Sequence, residues 1–386
     1  MFRGRLPHFL LAVLSFALLL AACGTPTPTP PKKDDPKPLV ACTEPAEVVT
    51  FPDADLRAFI NLRLGLTDGQ PILCGALDAV TQLNLSSTRN VRSLEGVEHL
   101  RKVNSISFDK QNQLPNAEFT RLTGLSTITS VSIYQAALLT SVKFVQNMDG
   151  LEFLMVDDAD LASLDGVQGH ALLRTVYLRG NPNLKSIEPL GELPALATLQ
   201  LTRSAVSSLA PLTGHETLVR LMATNNALTS VDVRDLPLLE EFQVSSNQIS
   251  TLPSFSGLGT PNLRLLSVTG NNLTSLAGLE GMSLSFLSAN HNKLTTIHHI
   301  ADLSGVSTLY LDDNYLTDMT PLRAVTWGPG AHVYLGNNCL GVIYYPESGL
   351  HTLPEGPNNE AWKDLMLAKG VNVHLLPVAT DARCDR

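Results

Sequence analysis

The apolar and polar positions of this chain follow neither a helix nor a plain strand. In "LYLDDNYLTDMTPL", leucine stands at 309, 311, 316 and 322, with Asn314 between and Met319 three residues beyond Leu316. Alternation holds briefly and then lapses, whereas a helical face would recur about every 3.6 residues throughout. The same order returns along the chain. Clear copies start at Leu151, Leu173, Leu196, Leu218, Leu239, Leu263, Leu284 and Val306. Weaker copies start at Val80, Val103 and Ile128, and a degenerate last one runs through "HVYLGNNCL" near Gly330. Successive starts lie 21 to 25 residues apart, which makes twelve copies.

The spacing has a physical reading. The LxL part is a short strand whose two leucines point inward. The asparagine also turns inward, where its amide can satisfy backbone groups freed as the chain leaves the strand. The later leucines close the core from the other side. One such coil leaves its flanks bare, so it is stabilised by stacking on its neighbours. A period of this length written LxxLxLxxNxLxxL is the leucine-rich repeat. The predicted architecture is an α/β-type solenoid, a horseshoe or arc with a parallel β-sheet on its concave side. Pro and Gly in "SIEPL", "SLAPL", "SLAGL" and "SLDGV" disfavour helices on the return, so 3₁₀ or extended structure is expected on the convex side.

Asparagine fills the inward slot at Asn181, Asn226, Asn247, Asn271, Asn292, Asn314 and Asn338, and is replaced by Thr88, Gln111, Ala136, Ala159 and Ser204. Alanine cannot make the amide's bonds, so the ladder is expected to be irregular across Ala136 and Ala159. Residues 51–66, "FPDADLRAFINLRLGL", read as a helical amino-terminal cap, with Asp53 as its N-cap and Leu56, Phe59, Ile60 and Leu64 as its apolar stripe. At the other end, "NNEAWKDLMLAKGVNVHLLP" reads as a short helix ended by Gly370 and a strand over 371–376. The boundaries follow as an amino-terminal cap over 42–79, repeats over 80–340 and a small carboxy-terminal cap over 341–386. The repeat spacing and the helix before the first repeat resemble the internalin-like class of bacterial surface proteins. That resemblance implies a concave sheet that binds another protein.

The amino terminus adds a location. Arg3 and Arg5 precede an apolar run over residues 9–20 and then "LAAC", ending in Cys23. The run is short for a membrane span and has the layout of a cleaved export signal over 1–22. It resembles the lipobox of bacterial lipoproteins, with Cys23 as the acylated first residue; a plain secretory signal with an incidental cysteine is the alternative. Internalins differ in lacking this element. No carboxy-terminal sorting signal is seen, so wall attachment is not expected, and Gly24 after the cysteine suits outer-membrane sorting. Residues 23–41 hold "GTPTPTPPKKDDPKP", where alternating Thr-Pro forms neither helix nor paired strand. An extended tether of roughly 50 Å results.

The chain's 386 residues carry a net charge of −9, and loss of Arg3 and Arg5 takes this to about −11. That balance argues against nucleic acid, which draws a basic face. In an oxidising compartment Cys42, Cys74, Cys339 and Cys384 are free to form disulfides, with three possible pairings. If the middle is elongated, only Cys42–Cys74 and Cys339–Cys384 are within reach. Metal ligation competes, but no CxxC or His-rich spacing supports it, and no cofactor is expected.

Residues flanking the inward leucines face outward onto the concave surface. The candidate partner-binding residues there are Phe153, Asp157, Asp158, Tyr177, Arg179, Arg203, Arg220, Phe286, Tyr310, Asp312, Asp313 and Tyr334, with Tyr134 and Glu241 on the same face. Tyr and Arg are enriched at binding hot spots. Neighbouring strands about 4.8 Å apart would set Tyr310 beside Tyr334 and Asp157 beside Arg179. Taken singly, each is more economically a solvated strand residue or a cross-strand pair. Adjacent His298 and His299 read as a solvated loop, the Asp pairs supply too few oxygens for calcium, and Trp327 and Trp362 read as packing. "NLS" at Asn84 and "NLT" at Asn272 match sequons that a bacterial lipoprotein would not use. No GxSxG, HExxH or phosphate loop is present. A lipid-anchored, monomeric, non-catalytic binder of a protein or peptide is the expected function; an envelope-structural or glycan-binding lipoprotein and, further off, a hydrolase are the alternatives.

Overall fold

The computed structural model describes residues 41–85, 90–340, 343–344, 351–352 and 359–375. The export signal, Cys23, the tether, Thr88 and Cys384 lie outside the described residues. Thirteen strands form one parallel sheet whose spatial order is the chain order, from Gln82–Leu85 at one edge to Asn372–His374 at the other. Twelve of these strands are the twelve repeats. The thirteenth comes from the carboxy-terminal cap, where His332, Val333 and Tyr334 pair with Asn372, Val373 and His374. The return segments are short 3₁₀ turns such as Val97–His99, Glu188–Glu192 and Thr320–Arg323. The chain is thus a leucine-rich-repeat solenoid.

The two inward positions of each repeat's strand are buried, as at Leu199 and Leu201 or Leu309 and Leu311, while Val373 of the thirteenth strand is partly buried. They join one continuous apolar core along the stack. Aromatic rings join the core in the early coils: Phe108, Phe119 and Phe144 follow one another at centroid spacings of 6.0 and 5.5 Å.

From the second coil on, each coil turns out of its strand through a left-handed residue just before the inward slot: Lys110, Gln135, Asp158, Gly180, Arg203, Asn225, Ser246, Gly270, His291, Asp313 and Asn337, all with φ between 51° and 68°. Their N–H groups donate to the next coil's carbonyls, as His291 does to Asp312 at 3.0 Å. The ladder therefore continues one step past the strand. At Gly180 a Cβ would run into the Asp158 carboxylate, so a side chain there would have to displace the group that binds Arg203.

The asparagines do what their spacing predicts. Asn292 Nδ2 donates to the carbonyls of Val268, one coil back, and Ala289, both at 3.0 Å, while its Oδ1 accepts from the N–H of Leu273 at 3.1 Å. Asn247, Asn271, Asn314 and Asn338 repeat this set.

The expected irregularity at Ala136 and Ala159 does not reach the strands. Ser105–Asp109, Ser130–Tyr134 and Phe153–Asp157 pair in continuous register over five residues each. The reason lies one coil upstream. After Gln111, Ala136 and Asn181 the next leucine comes three residues later, at Leu114, Leu139 and Leu184, instead of two. The extra residue lets the leucine N–H bond to the slot residue's own carbonyl, at 3.2, 2.9 and 3.0 Å. That N–H then needs nothing from the following coil, and the following slots are Ala136, Ala159 and Ser204.

A Ser, Thr or Asp starts many return turns in the same way. Ser163 accepts from the N–H of Asp165 at 3.0 Å, and Ser93, Ser141, Ser186, Ser208, Thr296 and Asp318 do the equivalent. This side-chain turn satisfies a donor freed at the 3₁₀ entry.

The amino-terminal cap carries the helix Ala54–Leu64. Asp53 Oδ1 accepts from the N–H of Leu56 at 3.0 Å, and its Oδ2 accepts from Arg92 and Ser93 at 2.8 and 3.3 Å, tying the cap to the first coil. Leu56, Phe59 and Ile60 are buried and Leu64 is partly buried against the core. A short antiparallel pair, Val48–Val49 with Ile72–Leu73, was not legible beforehand. Gly96 has φ 100°, and a Cβ there would meet the Phe51 ring at 2.6 Å, so the cap's ring seats directly on the first return turn. Cys42 and Cys74 form a disulfide with Cα atoms 6.1 Å apart. Among the described residues they are also two of the one His/Cys/Asp/Glu trio close enough to share an ion, with Glu47, and their sulfurs are joined to each other. Cys339 is disulfide-bonded as well. The carboxy-terminal helix is Asn359–Ala368, ended by Gly370 at φ 74°. Trp327 is partly buried against the core, and the Trp362 side chain lies outside the described residues.

Candidate functional site

The outward positions of the sheet divide into three zones. The first runs over the strands from Phe153 to Gln243 and is charged. Asp157, expected to face a partner, is instead 1% exposed. Its Oδ1 accepts from the backbone N–H of Arg179 at 2.8 Å and its Oδ2 from that residue's Nε at 2.9 Å and from Nη2. The bond to Asp157 holds the Arg179 guanidinium above its ordinary value. Arg179 also lies 5.9 Å from the Tyr177 ring, which meets Phe153 edge-on at 5.6 Å. Arg203 binds Asp158 at 2.9 Å and Arg220 approaches Glu241 at 3.4 Å. Both arginines remain more than half exposed, so their acids neutralise them without covering them.

The second zone is uncharged. Ser245 and Ser267 hydroxyls meet at 2.7 Å across adjacent strands, and Thr269 and Ser288 do the same.

The third zone is aromatic. Phe286, Tyr310 and Tyr334 stand on successive rungs with centroids 5.7 and 4.4 Å apart, and His374 stacks on Tyr334 at 4.2 Å. His332 Nδ1 lies 3.0 Å from His374 Nε2. Burial, then the neighbouring Tyr334 hydroxyl, raises the Tyr310 hydroxyl above its usual value. Asp313 is paired with Asn337 Nδ2 at 2.8 Å and with His291 at 3.3 Å. Asp312 accepts the Gly336 N–H at 2.8 Å, and its burial holds the carboxyl above the ordinary carboxylate range.

The two adjacencies expected from strand spacing, Tyr310 with Tyr334 and Asp157 with Arg179, are both present. The twelve candidates do not form one cluster, because the hydroxyl zone separates Phe153–Arg220 from Phe286–Tyr334. Sequence reading missed His332, His374 and His291. The signal was available for His374: "VNVH" alternates as "AHVY" does, with Val371 and Val373 matching Ala331 and Val333. His298 and His299 sit on a convex 3₁₀ turn, where His299 meets Glu280 at 2.7 Å.

No family model matches the chain, and no curated protein matches it. Solved structures do. An internalin (inlF) from Listeria monocytogenes is 21% identical, covering 86% of this chain and 92% of its own, with a TM-score of 0.69. The Toll–Spatzle complex of Drosophila is 17% identical over 70% of this chain and 40% of that one, with a TM-score of 0.57. The LRIM1/APL1C complex is 14% identical over 69% of this chain and 54% of that one, with a TM-score of 0.53. By fold this chain is an internalin-like leucine-rich-repeat solenoid.

Proposed function

We propose that this is an exported, lipid-anchored scaffold that binds a protein partner on the concave face of its sheet, between residues 153 and 334. One observation carries the reading: exposed arginines and a run of stacked aromatic rings occupy the outward rungs of one continuous sheet, on either side of an uncharged hydroxyl zone. A large flat or curved face of this kind is what a solenoid offers to partners. Two structures of similar fold, LRIM1/APL1C and Toll–Spatzle, are complexes, which supports a protein ligand. The folded chain is spent almost wholly on repeats and caps, which favours a non-catalytic role. Cys23 carries the lipid, and the Thr-Pro tether holds the solenoid off the membrane.

Affinity capture with the chain, followed by replacement of Tyr177, Arg179 and Tyr310 together by alanine, tests the face. Binding to the captured partner is expected to weaken by about a hundredfold or more, because central Tyr and Arg dominate interface energies. Unchanged affinity refutes this placement. For the anchor, Cys23→Ser is expected to abolish the acyl mass increment and detergent partitioning.

A further inference from the structure

The charged and aromatic zones carry the same constellation at equivalent places in their coils. Counting back from the inward asparagine, Tyr177 and Arg179 precede Asn181 by four and two, and Tyr334 and Gly336 precede Asn338 by four and two. One coil earlier, Asp157 and Asp312 both lie two residues before their slots. Both aspartates accept the backbone N–H of the next coil at 2.8 Å, from Arg179 and from Gly336. In the first set the second carboxylate oxygen takes the Arg179 guanidinium. In the second set Gly336 has no side chain to offer. Among the described residues no side chain donates to Asp312, while its neighbour Asp313 is engaged by Asn337 and His291. Asp312 remains partly exposed, beside the stacked Tyr310, Tyr334 and His374.

We propose that Asp312, with Tyr310 and Tyr334 beside it, is the docking point for an arginine side chain of the protein partner. The chain itself shows the chemistry: Asp157 and Tyr177 hold a guanidinium supplied from within, and Asp312 and Tyr334 take one supplied from outside. A guanidinium fits this place, since its fork binds a carboxylate and its charge is favoured beside the edges and hydroxyls of Tyr310 and Tyr334, whose facing sides are taken by each other and by His374. Charge complementarity selects a basic segment, because among the described residues no lysine or arginine pairs with either acid of the aromatic zone, and Asp312 is the one to which no side chain donates. This deepens the concave-face reading and rests on it.

The test titrates the full-length chain with acetyl-Gly-Arg-Gly-amide and with its citrulline counterpart, which keeps the shape and loses the charge, following tyrosine resonances. The arginine peptide is expected to shift Tyr310 and Tyr334 and to bind about tenfold more tightly than the citrulline peptide, the worth of one charge-assisted hydrogen bond. Asp312→Asn, which keeps the Gly336 bond, is expected to erase that tenfold preference, and Asp313→Asn to leave it intact. Equal binding of the two peptides, no binding of either, or a preference that survives Asp312→Asn overturns the proposal. The broader reading is judged separately on the captured partner. Loss of binding in the triple alanine variant with full binding by Asp312→Asn sinks the arginine site alone; binding retained by the triple variant sinks the face.

Discussion

Two stretches of the solenoid reach one register by different bonds. From Asn226 to Asn338 each coil is closed by the next coil's asparagine, whose Oδ1 takes a buried N–H while Nδ2 bridges carbonyls of two coils. Over residues 105–159 the coils close themselves through one added residue, and the facing slots are alanine. The difference teaches that the asparagine column is a response to coil length. A short exit from the strand leaves a donor that only a neighbour can satisfy. After Gln111, Ala136 and Asn181 a longer exit satisfies it locally, and alanine or serine fills the next slot without stranding that donor, whereas Val91 N–H still takes the Gln111 side chain of the next coil.

The largest expected effect that sharpens this contrast is Asn292→Ala. It strands the Leu273 N–H and removes three bonds to carbonyls, so a loss of about 3 kcal/mol in urea unfolding is expected. A loss like that of an exposed substitution would show the column to be dispensable. Next comes coupling. Inserting one residue between Asn271 and Leu273 imitates the longer coils, and combining it with Asn292→Ala is expected to cost at least about 1 kcal/mol less than the two changes summed. Strict additivity breaks the account.

A smaller effect concerns the left-handed column that both stretches share. Gln135 holds φ 52° with a full side chain, where its counterparts Gly180 and Gly270 have none. Gln135→Gly is expected to raise stability by about 0.5–1 kcal/mol, since an L-residue is strained there. Gly180→Ala is the opposite probe and is expected to destabilise, because its Cβ meets Asp158.

The smallest effect compares the two aspartates. The carboxyl of Asp312 is raised by burial, so the folded state binds its proton more tightly than the unfolded chain does. Its contribution is fully favourable below the ordinary carboxylate range and is lost as pH rises through the raised value. Asp312→Asn is therefore expected to raise the melting temperature at pH 7 and to leave it unchanged near the acid end. A gain that is the same at both ends rules out the titration as its source.

The sequence by itself determined the stack. Twelve copies of one apolar spacing, each unable to bury its flanks, leave parallel stacking as the arrangement that covers them, and the strand count, the 3₁₀ return and the capped helix at Ala54–Leu64 followed from it. Outward rungs were legible because strand positions alternate, which is why Tyr310 and Tyr334 were paired in advance. Only the tertiary structure decided which outward groups are free. Asp157 and Asp312 stand at the same coil position and look alike in the sequence, yet a guanidinium one coil on buries the first and leaves the second partly exposed. That outcome depends on a side chain about 22 residues away meeting it across the sheet spacing, a contact made by stacking and not by local pattern.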